Sequence, residues 1–296
     1  TICAHRCMGK CTRNFYEDPV QIRAAKLLAA EKGIDARMAS VVRPAPVPGK
    51  RAAIIGGGPT GIAAAYFLGR AGVACTIFER TGKLGGIVRH VIPAFRISDE
   101  AIDRDIALMQ AYGAEVRLNT EAPSVEELHK LGYTHILYAT GAWKPGKLNI
   151  PGNVRGVIGW MQERKAGANE PLGHVAVVGG GNTAMDAARV AKRGGAASVT
   201  LVYRRTRRFM PADAQERELA MQDGVDFLEL AAPVKQENGI LTCEKMRLGE
   251  PDASGRRSPV PTGETVELPC DLVISAVGEQ VEEQVFTDNG ITLSAK

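Results

Sequence analysis

Val177-Val178-Gly179-Gly180-Gly181 and Ile54-Ile55-Gly56-Gly57-Gly58 are two closely similar stretches of this 296-residue chain. Each follows an apolar segment that suits a buried strand and precedes an alanine-rich segment that suits a helix. In that context, a glycine-rich turn presents the helix N-terminus to the pyrophosphate of a dinucleotide. Two such turns predict an α/β fold with two nucleotide-binding domains, between whose nucleotides electrons pass.

The composition is that of an ordinary globular protein. The chain is 45% apolar and 24% charged, with a net charge of +4. These values predict more than one domain and imply neither nucleic acid nor a membrane as a partner. No apolar run approaches the roughly 20 residues that span a bilayer, and the start of the chain does not resemble a secretory signal. We therefore expect a soluble cytoplasmic protein that binds small-molecule nucleotides.

The first 43 residues differ from the rest of the chain. They are polar, begin with clustered cysteines and include a predicted helix from Val20 to Glu31. The stretch from Arg43 to Gly49 has alternating prolines, which exclude a helix or a central strand. It is therefore predicted to be an extended linker.

Strand and helix patterns dominate the remainder. The first unit of strand, turn, helix and strand is predicted at Ala52–Ile55, Gly61–Gly69 and Val73–Phe78, and the second runs from His174 to Tyr203. Further strands are predicted at Val116–Asn119, His135–Thr140, Leu241–Leu248, Thr265–Leu268 and Asp271–Gly278. Leu241–Leu248 and Thr265–Leu268 are predicted to form a hairpin around the polar turn from Asp252 to Arg257.

The first turn has the spacing of a site for a nucleotide without a 2′-phosphate. Gly56 permits a tight turn, Gly58 lets a pyrophosphate approach, and Gly61 lets the helix lie close to the strand. Glu79 follows at the end of the second strand, where its carboxylate can accept hydrogen bonds from ribose hydroxyls. The alternative interpretation is a surface turn beside a solvent-exposed carboxylate.

The second turn differs in two ways that affect its ligand. Ala184 replaces the third glycine, and Tyr203 at the end of the second strand is followed by Arg204 and Arg205 instead of an acid. A guanidinium group forms charge-assisted hydrogen bonds with a 2′-phosphate, so this turn predicts NADPH. Arg207 and Arg208 extend the basic segment, for which a nucleic-acid patch and a solvated loop are alternatives.

Several motifs in order carry a family resemblance. They are Cys11–Pro19, Leu84–Gly86, Ile92–Arg96, Gly179–Asp186, Tyr203–Arg205, Met210–Ala212, Leu248–Arg257 and Val277–Glu279. With these motifs the chain resembles the glutamate synthase small subunit and the flavin/NADPH half of dihydropyrimidine dehydrogenase. Within that group it is most similar to the selenate reductase iron–sulfur/flavin subunit.

The resemblance implies two Rossmann-like domains, for FAD and NAD(P), preceded by the remnant of a small helical iron–sulfur domain. The implied segments are 1–43 for the truncated helical domain, 51–150 for the first part of the FAD domain, 151–278 for the NADPH domain and 279–296 for the start of a return to the FAD domain. The implied FAD contacts are Gly56, Gly58, Pro59, Thr60, Gly61, Glu79, Arg80, Leu84, Gly86, Ile87, Arg96 and Thr140. The implied NADPH contacts are Gly180, Gly181, Asn182, Thr183, Arg204, Arg205, Ala276, Val277 and Gly278.

Three cysteines near the start resemble ligands of a 4Fe-4S cluster. Cys3, Cys7 and Cys11 have the spacing of the second cysteine group in the family's iron–sulfur domain, and thiolate is the ligand that such clusters need. A cubane site needs four ligands, and Lys26 stands where relatives supply a carboxylate or amide ligand. Free surface thiols are therefore an equally weighted alternative for this chain.

The other end also departs from the relatives. FAD-binding members carry a later Gly-Asp pair that holds the ribityl chain, and no such pair occurs before Lys296. We therefore expect a fragment, trimmed at both termini, that binds FAD weakly or loses it.

Cys75, Cys243 and Cys270 lie in apolar strand-like stretches and are predicted to pack in cores. No pair of cysteines has the C-x-x-C or C-x4-C spacing of a redox disulfide beside the flavin turn or in the NADPH domain, so hydride is not expected to reach one. The five histidines show no metal spacing, and the sequence identifies no catalytic side chain.

The resulting prediction is an NADPH-dependent, FAD-containing oxidoreductase that serves as an electron-input subunit. Hydride would pass from NADPH to FAD, and electrons would leave through 4Fe-4S clusters to an acceptor subunit or a further domain. The alternatives are a stand-alone NADPH:acceptor reductase and a nucleotide-binding or redox-sensing fragment without turnover.

Overall fold

The computed structural model describes residues 2–3, 5–253, 255 and 257–293. Contacts divide the chain into two compact units, one formed by Thr1–Gly141 with Glu283–Lys296 and the other by Ala142–Glu282. Each unit contains one glycine-rich turn and one parallel sheet.

The first unit is built on a four-stranded parallel sheet. Its strands in chain order are β1 (Arg51–Ile55), β2 (Ala74–Phe78), β3 (Glu115–Arg117) and β4 (His135–Tyr138). They lie in the order β3-β2-β1-β4, and Ile55 is level with both Phe78 and Tyr138. The carboxyl ends of these three strands therefore lie together at one edge, immediately before the glycine turn and Glu79.

The helices of this unit precede, connect or flank those strands. They are α1 (Arg6–Gly9), a 3₁₀ turn (Thr12–Phe15), α2 (Ile22–Ala39), α3 (Pro59–Arg70), α4 (Gly86–His90), α5 (Asp99–Ala111) and α6 (Val125–Lys130). Helix α2 continues past its predicted end at Glu31, because Ala, Arg and Met are good helix formers and a single Gly33 is tolerated. Helix α3 begins at Pro59, two residues before the predicted start, because proline suits the first helical position.

Alternation along β1 creates apolar layers on both faces of the sheet. Ala52 and Ile54 pack with α3, α5 and Met109 on one face. Ala53 and Ile55 pack with Leu128 and its neighbours on the other face. Because both faces of the sheet are covered, the residues of β1 after Arg51 are all apolar, as expected for a parallel sheet.

The N-terminal segment is attached to this unit by a guanidinium group. Arg37 of α2 donates to the hydroxyl groups of Tyr66 at 2.8 Å and Tyr112 at 3.2 Å, and its bond with Tyr66 lowers the pKa of that phenol. In the predicted linker, Arg43 donates from Nε to the carbonyl oxygen of Ala111 at 2.8 Å. The linker is therefore extended but tied to the unit.

The second unit is built on a five-stranded parallel sheet. The chain enters it through the short strand β5 (Lys144–Pro145). The sheet strands and the helices beside them are then β6 (Val154–Gly156), α7 (Val157–Lys165), β7 (His174–Val178), α8 (Asn182–Arg193), β8 (Ser198–Tyr203), a 3₁₀ turn (Arg207–Phe209), α9 (Ala214–Gln222) and β9 (Asp226–Glu229). Strand β13 (Leu272–Ser275), from later in the chain, completes the order β6-β13-β7-β8-β9. The predicted α/β fold with two parallel, Rossmann-like sheets is confirmed.

A three-stranded antiparallel sheet packs on this unit. Its strands are β10 (Ala231–Glu237), β11 (Ile240–Pro251) and β12 (Arg257–Pro269). Strands β11 and β12 form the predicted hairpin but are longer than predicted. Two positions of its predicted turn, Ser254 and Arg256, lie outside the described residues.

The chain then leaves the second unit. Strand β14 (Glu279–Gln280) pairs antiparallel with β5, and α10 (Gln284–Thr287) belongs to the first unit. There, Phe286 lies 5.3 Å from Tyr138 between ring centroids, and the side chain of Asn289 accepts from the N–H of Val125 at 3.1 Å. Throughout the part of the chain that the structure describes, no helix has the length and apolar character needed to cross a membrane.

Thiol accessibility tests this arrangement. Burial raises the pKa of Cys75 and Cys270 to about 11 and that of Cys243 to about 12, whereas backbone hydrogen bonds at Val20 and Arg13 lower the pKa of Cys11. Because thiolate is the reactive form, at pH 8 the folded chain should be alkylated at Cys3, Cys7 and Cys11 well before the buried three. Mass spectrometry after timed alkylation measures this order, and unfolding in denaturant should make all six react. Rapid modification of Cys243 in the folded chain would contradict the structure.

Candidate functional site

The first glycine turn is shaped by two close backbone approaches. Gly56 has a φ of +107°, and a Cβ atom there would lie 2.5 Å from the carbonyl oxygen of Ala139. A Cβ atom on Gly61 would lie 2.0 Å from the carbonyl oxygen of Gly56. Real atoms do not approach so closely, so both positions require glycine. Helix α3 therefore begins directly at the end of β1, and its first N–H groups face outward from the turn.

Glu79 closes the other side of this turn. It is 7% exposed, and its Oε2 accepts from the N–H of Gly57 at 2.7 Å. Its Oε1 accepts from both the N–H and the hydroxyl of Thr81, each at 2.8 Å. A carboxylate offers about four acceptor positions, so these bonds leave about one for a ligand. A Glu79 carboxylate that accepts from two ribose hydroxyls at once would have to release Thr81.

The segment after Glu79 lies along the turn. The N–H of Gly85 donates to the carbonyl oxygen of Gly57 at 2.8 Å, and a Cβ atom on Gly86 would lie 2.9 Å from the Cα of Gly58. Leu84 is buried beneath Gly57. The predicted contacts of the turn, Glu79, Leu84 and Gly86 are therefore together at the carboxyl edge of the sheet.

The remaining predicted FAD contacts extend from this edge. Arg80 is exposed next to Glu79, Ile87 is half-buried in α4, and Thr140 follows Ala139 at the end of β4. Arg96 lies further along the chain, in a turn closed by its N–H bond to Pro93 at 2.9 Å.

One buried arginine in this segment was not predicted from the sequence. Arg89 is 5% exposed and donates from Nε to the carbonyl oxygen of Leu84 at 2.6 Å. It also forms ion pairs with Asp99, at 3.3 Å, and with Asp103, both in α5. Arg89 therefore fixes the Leu84–Gly86 loop to a helix. Its signal in the sequence is a single charge inside the apolar run from Leu84 to Pro93.

An apolar cavity of about 420 Å³ borders the first turn at Pro59 and Gly85. Ile62, Phe67 and Ile97 are among its lining residues. Asp105 also lines it, and although this residue is largely exposed, the apolar surroundings raise the pKa of its carboxyl group.

The second glycine turn is equally close to its neighbours. A Cβ atom on Gly179 would lie 2.3 Å from the carbonyl oxygen of Ala276, and one on Gly180 would lie 2.5 Å from the ring of Tyr203. Gly181 is different, because a Cβ atom there would meet nothing within 4 Å. The space over Gly181 is therefore open to a ligand, and it lies at the N-terminus of α8.

The predicted NADPH contacts surround this opening on three segments. Asn182 and Thr183 are the first residues of α8, which starts at Gly181 without a side-chain cap. Ala276 follows β13, and the next two predicted contacts, Val277 and Gly278, continue that loop. The replacement of a third glycine by Ala184 is accommodated, because that methyl group is fully buried.

The four arginines after β8 have different environments. Arg204 and Arg208 are exposed, whereas Arg205 is 9% exposed. The Nε of Arg205 is buried with no hydrogen-bond partner, and none of the described carboxylates forms an ion pair with it. Arg207 instead pairs with Glu229, whose Oε2 also accepts from the N–H of Arg207 at 2.7 Å. Arg207 thus does not extend the basic segment as an unpaired charge.

The three N-terminal cysteines do not form a ligand cage. Cys3 and Cys7 are exposed and Cys11 is half-buried. Over the described parts of the chain, no three His, Cys, Asp or Glu side chains are grouped so that they could hold a metal ion. The residues as arranged do not fit a 4Fe-4S cluster, and the assignment of these cysteines as ligands stays a prediction.

Comparison with known proteins places the chain among flavin and nicotinamide enzymes. Residues 50–296 match the family described as pyridine nucleotide-disulphide oxidoreductase. The chain is 41% identical to the protein YgfK of Escherichia coli (strain K12), over 99% of this chain and 29% of that protein. It is 37% identical to the NADPH-Fe(3+) oxidoreductase subunit beta of Geobacter sulfurreducens (strain DL-1 / KN400), over 97% and 46%. It is 31% identical to the glutamate synthase (NADPH) small chain of Escherichia coli (strain K12), over 92% and 63%.

These matches confirm the predicted resemblance to the glutamate synthase small subunit. The chain spans less than two thirds of the length of each of these relatives. A solved structure of FprA from Mycobacterium tuberculosis has the same fold, with a TM-score of 0.65 and 20% identity over 78% of this chain and 71% of that chain. The narrower similarity to a selenate reductase subunit stays a prediction.

Two neighbouring glycines provide a test of the second turn. Gly181→Ala places a methyl group in open space at an extended backbone, so the free energy of unfolding should fall by less than about 1 kcal/mol. The same methyl group would occupy the approach to the turn, so dinucleotide binding should weaken by about tenfold or more. Thermal melting and equilibrium titration with NADPH measure the two effects.

Gly180→Ala is the matched control, because its methyl group would meet the Tyr203 ring. This variant should lose about 1–3 kcal/mol of stability through overpacking. If Gly181→Ala bound NADPH as tightly as the unmodified chain, the open space would not be the ligand site.

Proposed function

Because this chain belongs to the pyridine nucleotide-disulphide oxidoreductase family, we propose that it is the electron-input part of an NADPH-dependent flavin oxidoreductase. NADPH binds at the second glycine turn, FAD binds at the first, and electrons leave to a partner subunit or a further domain. The observation that carries this proposal is Arg205 in the loop after β8, which is 9% exposed and whose Nε is buried with no hydrogen-bond partner.

An unpaired buried charge is costly, which points to an anionic ligand at Arg205. Moving a charged group out of water costs several kcal/mol unless a partner compensates. No described side chain supplies that partner, whereas a 2′-phosphate at the end of β8 would. Tyr203 occupies the position of the acid that would repel a phosphate there, and its hydroxyl is already used to donate to the carbonyl oxygen of Phe209 at 2.9 Å.

The first turn has the opposite character, which supports a nucleotide without a 2′-phosphate. The carboxylate of Glu79 is buried where that phosphate would lie, so it disfavours NADPH at this site by repulsion. A Cβ atom on Gly86 would lie 2.9 Å from the Cα of Gly58, so only glycine lets this loop lie against the turn beside the N-terminus of α3, where a pyrophosphate would bind. The residues present therefore fit the adenosine diphosphate half of FAD. When bound, FAD would supply an acceptor for hydride and a donor of electrons to the next carrier.

The chain's own contribution is binding and orientation. Hydride transfer from a nicotinamide requires alignment and exclusion of water, and it requires no acid or base at the reacting carbon. Cys75, Cys243 and Cys270 are buried in apolar surroundings that keep them protonated, so they are unsuited to a thiol relay. We therefore propose that reduction of a disulfide, which the family description includes, is not the activity of this chain.

The relatives support a partner for the electrons. Two of them are named as a subunit beta and a small chain, names that belong to components of larger enzymes. We propose that a partner subunit or domain accepts electrons from the flavin here too. The separated N-terminal thiols do not fit a cluster as arranged, so the proposed electron path includes no step through one.

Arg205→Met tests the phosphate assignment. The substitution replaces a largely buried charged side chain, whose Nε has no partner, by an apolar one of similar volume, so thermal stability should stay equal or increase. NADPH binding should weaken by about 1–3 kcal/mol, the typical contribution of charge-assisted hydrogen bonds, while NADH binding stays unchanged. Titration calorimetry with both nucleotides measures the difference.

The matched control is Arg193→Met, which removes the same charge from the exposed C-terminal end of α8. It should leave the preference for NADPH intact. Equal losses in the two variants would indicate a general effect of net charge and would contradict a phosphate site at Arg205.

Anaerobic reduction tests the reaction itself. NADPH added to the flavin-loaded chain should bleach the flavin absorbance, while NADH should do so slowly, because only NADPH carries the phosphate that Arg205 binds. A chain that binds FAD and NADPH yet shows no bleaching would leave only a nucleotide-binding role.

A further inference from the structure

The segment Arg204–Asp213, here called the arginine loop, connects β8 to α9 and carries the four arginines. We propose that Asp213 is a positioning residue that fastens this loop to the second glycine turn and thereby sets the preference for a 2′-phosphate. This inference rests on the proposed function and concerns the same site.

Asp213 and Asn182 bind each other in both directions. The N–H of Asp213 donates to Oδ1 of Asn182 at 2.9 Å, and Nδ2 of Asn182 donates to Oδ2 of Asp213 at 3.1 Å. Next to this pair, the N–H of Ala212 donates to the carbonyl oxygen of Gly180 at 3.0 Å. Three hydrogen bonds therefore join the end of the loop to the residues that bear the nucleotide.

The beginning of the loop is held by other elements. Arg207 is bound to Glu229 at the end of β9, and the carbonyl oxygen of Phe209 accepts from Tyr203 in β8. Met210 and Ala212 are buried, so the loop is packed as well as bonded. The carbonyl oxygen of Arg205 also accepts from the N–H of Leu230 at 3.1 Å. The bonds at Ala212 and Asp213 are the ones that tie the far end of the arginine loop to the glycine turn.

The position of Asp213 indicates that it holds the arginine loop in place and does not attract the ligand by its charge. It precedes α9, where an aspartate commonly caps the helix, but its side chain makes no cap bond and is bound to Asn182 instead. A carboxylate beside a pyrophosphate site would repel the ligand, so direct attraction cannot be its contribution. Holding the loop in place lowers the ordering cost that binding would otherwise carry.

These considerations predict a specific pattern of binding. Asp213→Ala removes the side-chain acceptor for Asn182 and leaves the bond from its own backbone N–H, so the arginine loop is held less firmly. The dissociation constant for NADPH should therefore rise by about five- to tenfold. The constant for NADH should rise by less than about threefold, because NADH lacks the group that the loop binds. Asp213→Asn keeps an oxygen that accepts from Asn182 and should retain the unmodified ratio of the two constants.

The experiment measures both constants for the purified chain and each variant, alongside thermal melting. Asp226→Ala is the control for charge, because Asp226 is exposed at the opposite end of β9, and it should change neither constant. Asn182→Ala removes the partner in the pair, so it provides a second test of the ratio if Asp213→Ala melts at a lower temperature. Asn182→Ala removes both bonds of the pair, so adding Asp213→Ala to it should lower the ratio no further.

An unchanged NADPH-to-NADH ratio in both Asp213→Ala and Asn182→Ala would overturn the inference, whether neither constant changes or both rise by the same factor. The proposed function fails separately. If the unmodified chain binds NADH as tightly as NADPH, or if Arg205→Met leaves that preference intact, the phosphate assignment is wrong whatever the Asp213 variants do.

Discussion

The backbone of each glycine turn lies so close to its neighbours that no side chain fits, and this constraint organises both units. At Gly61 an added carbon would stand 2.0 Å from the carbonyl oxygen of Gly56, and at Gly179 it would stand 2.3 Å from that of Ala276. Through these approaches a helix begins directly at the end of a central strand in each unit. The free N–H groups of the first helical turn are consequently aimed at the space where a phosphate would bind.

Each glycine turn has a charged side chain in the segment after the second strand, and the two differ in whether that side chain already has hydrogen-bond partners in the protein. The Glu79 carboxylate holds the first turn together through three hydrogen bonds, so it belongs to the architecture as well as to the predicted ribose site. The Arg205 guanidinium is buried beside the second turn with its Nε unpaired. The bonded carboxylate of Glu79 favours a nucleotide without a 2′-phosphate, and Arg205 favours one that carries it. This difference is the physical basis for the proposal that FAD binds in the first unit and NADPH in the second.

Each predicted site is supported by side chains that bind other parts of the chain. Arg89 fixes the Leu84–Gly86 loop against α5, and the pair of Asn182 and Asp213 fixes the arginine loop against α8. Binding loops need such support because ordering them at the moment of binding would cost conformational entropy. The cysteines outside the N-terminal segment are buried, and burial raises their pKa values to about 11 or 12.

The local pattern alone determined much of this protein. Apolar runs followed by Gly56 and Gly179 predicted both parallel sheets and both turns, because spacing along the chain controls where a strand gives way to a helix. The second strand of each unit ends differently in the sequence, at Glu79 in one and before two arginines in the other. This difference predicted a different nucleotide for each unit. Only the tertiary structure distinguished Arg205 from Arg207. Arg205 is buried and its Nε has no partner, whereas Arg207 is bound to Glu229, because β9 lies beside the loop. The tertiary structure also brought Asp213 to Asn182, because contacts between residues distant in sequence arise from packing and have no local signal.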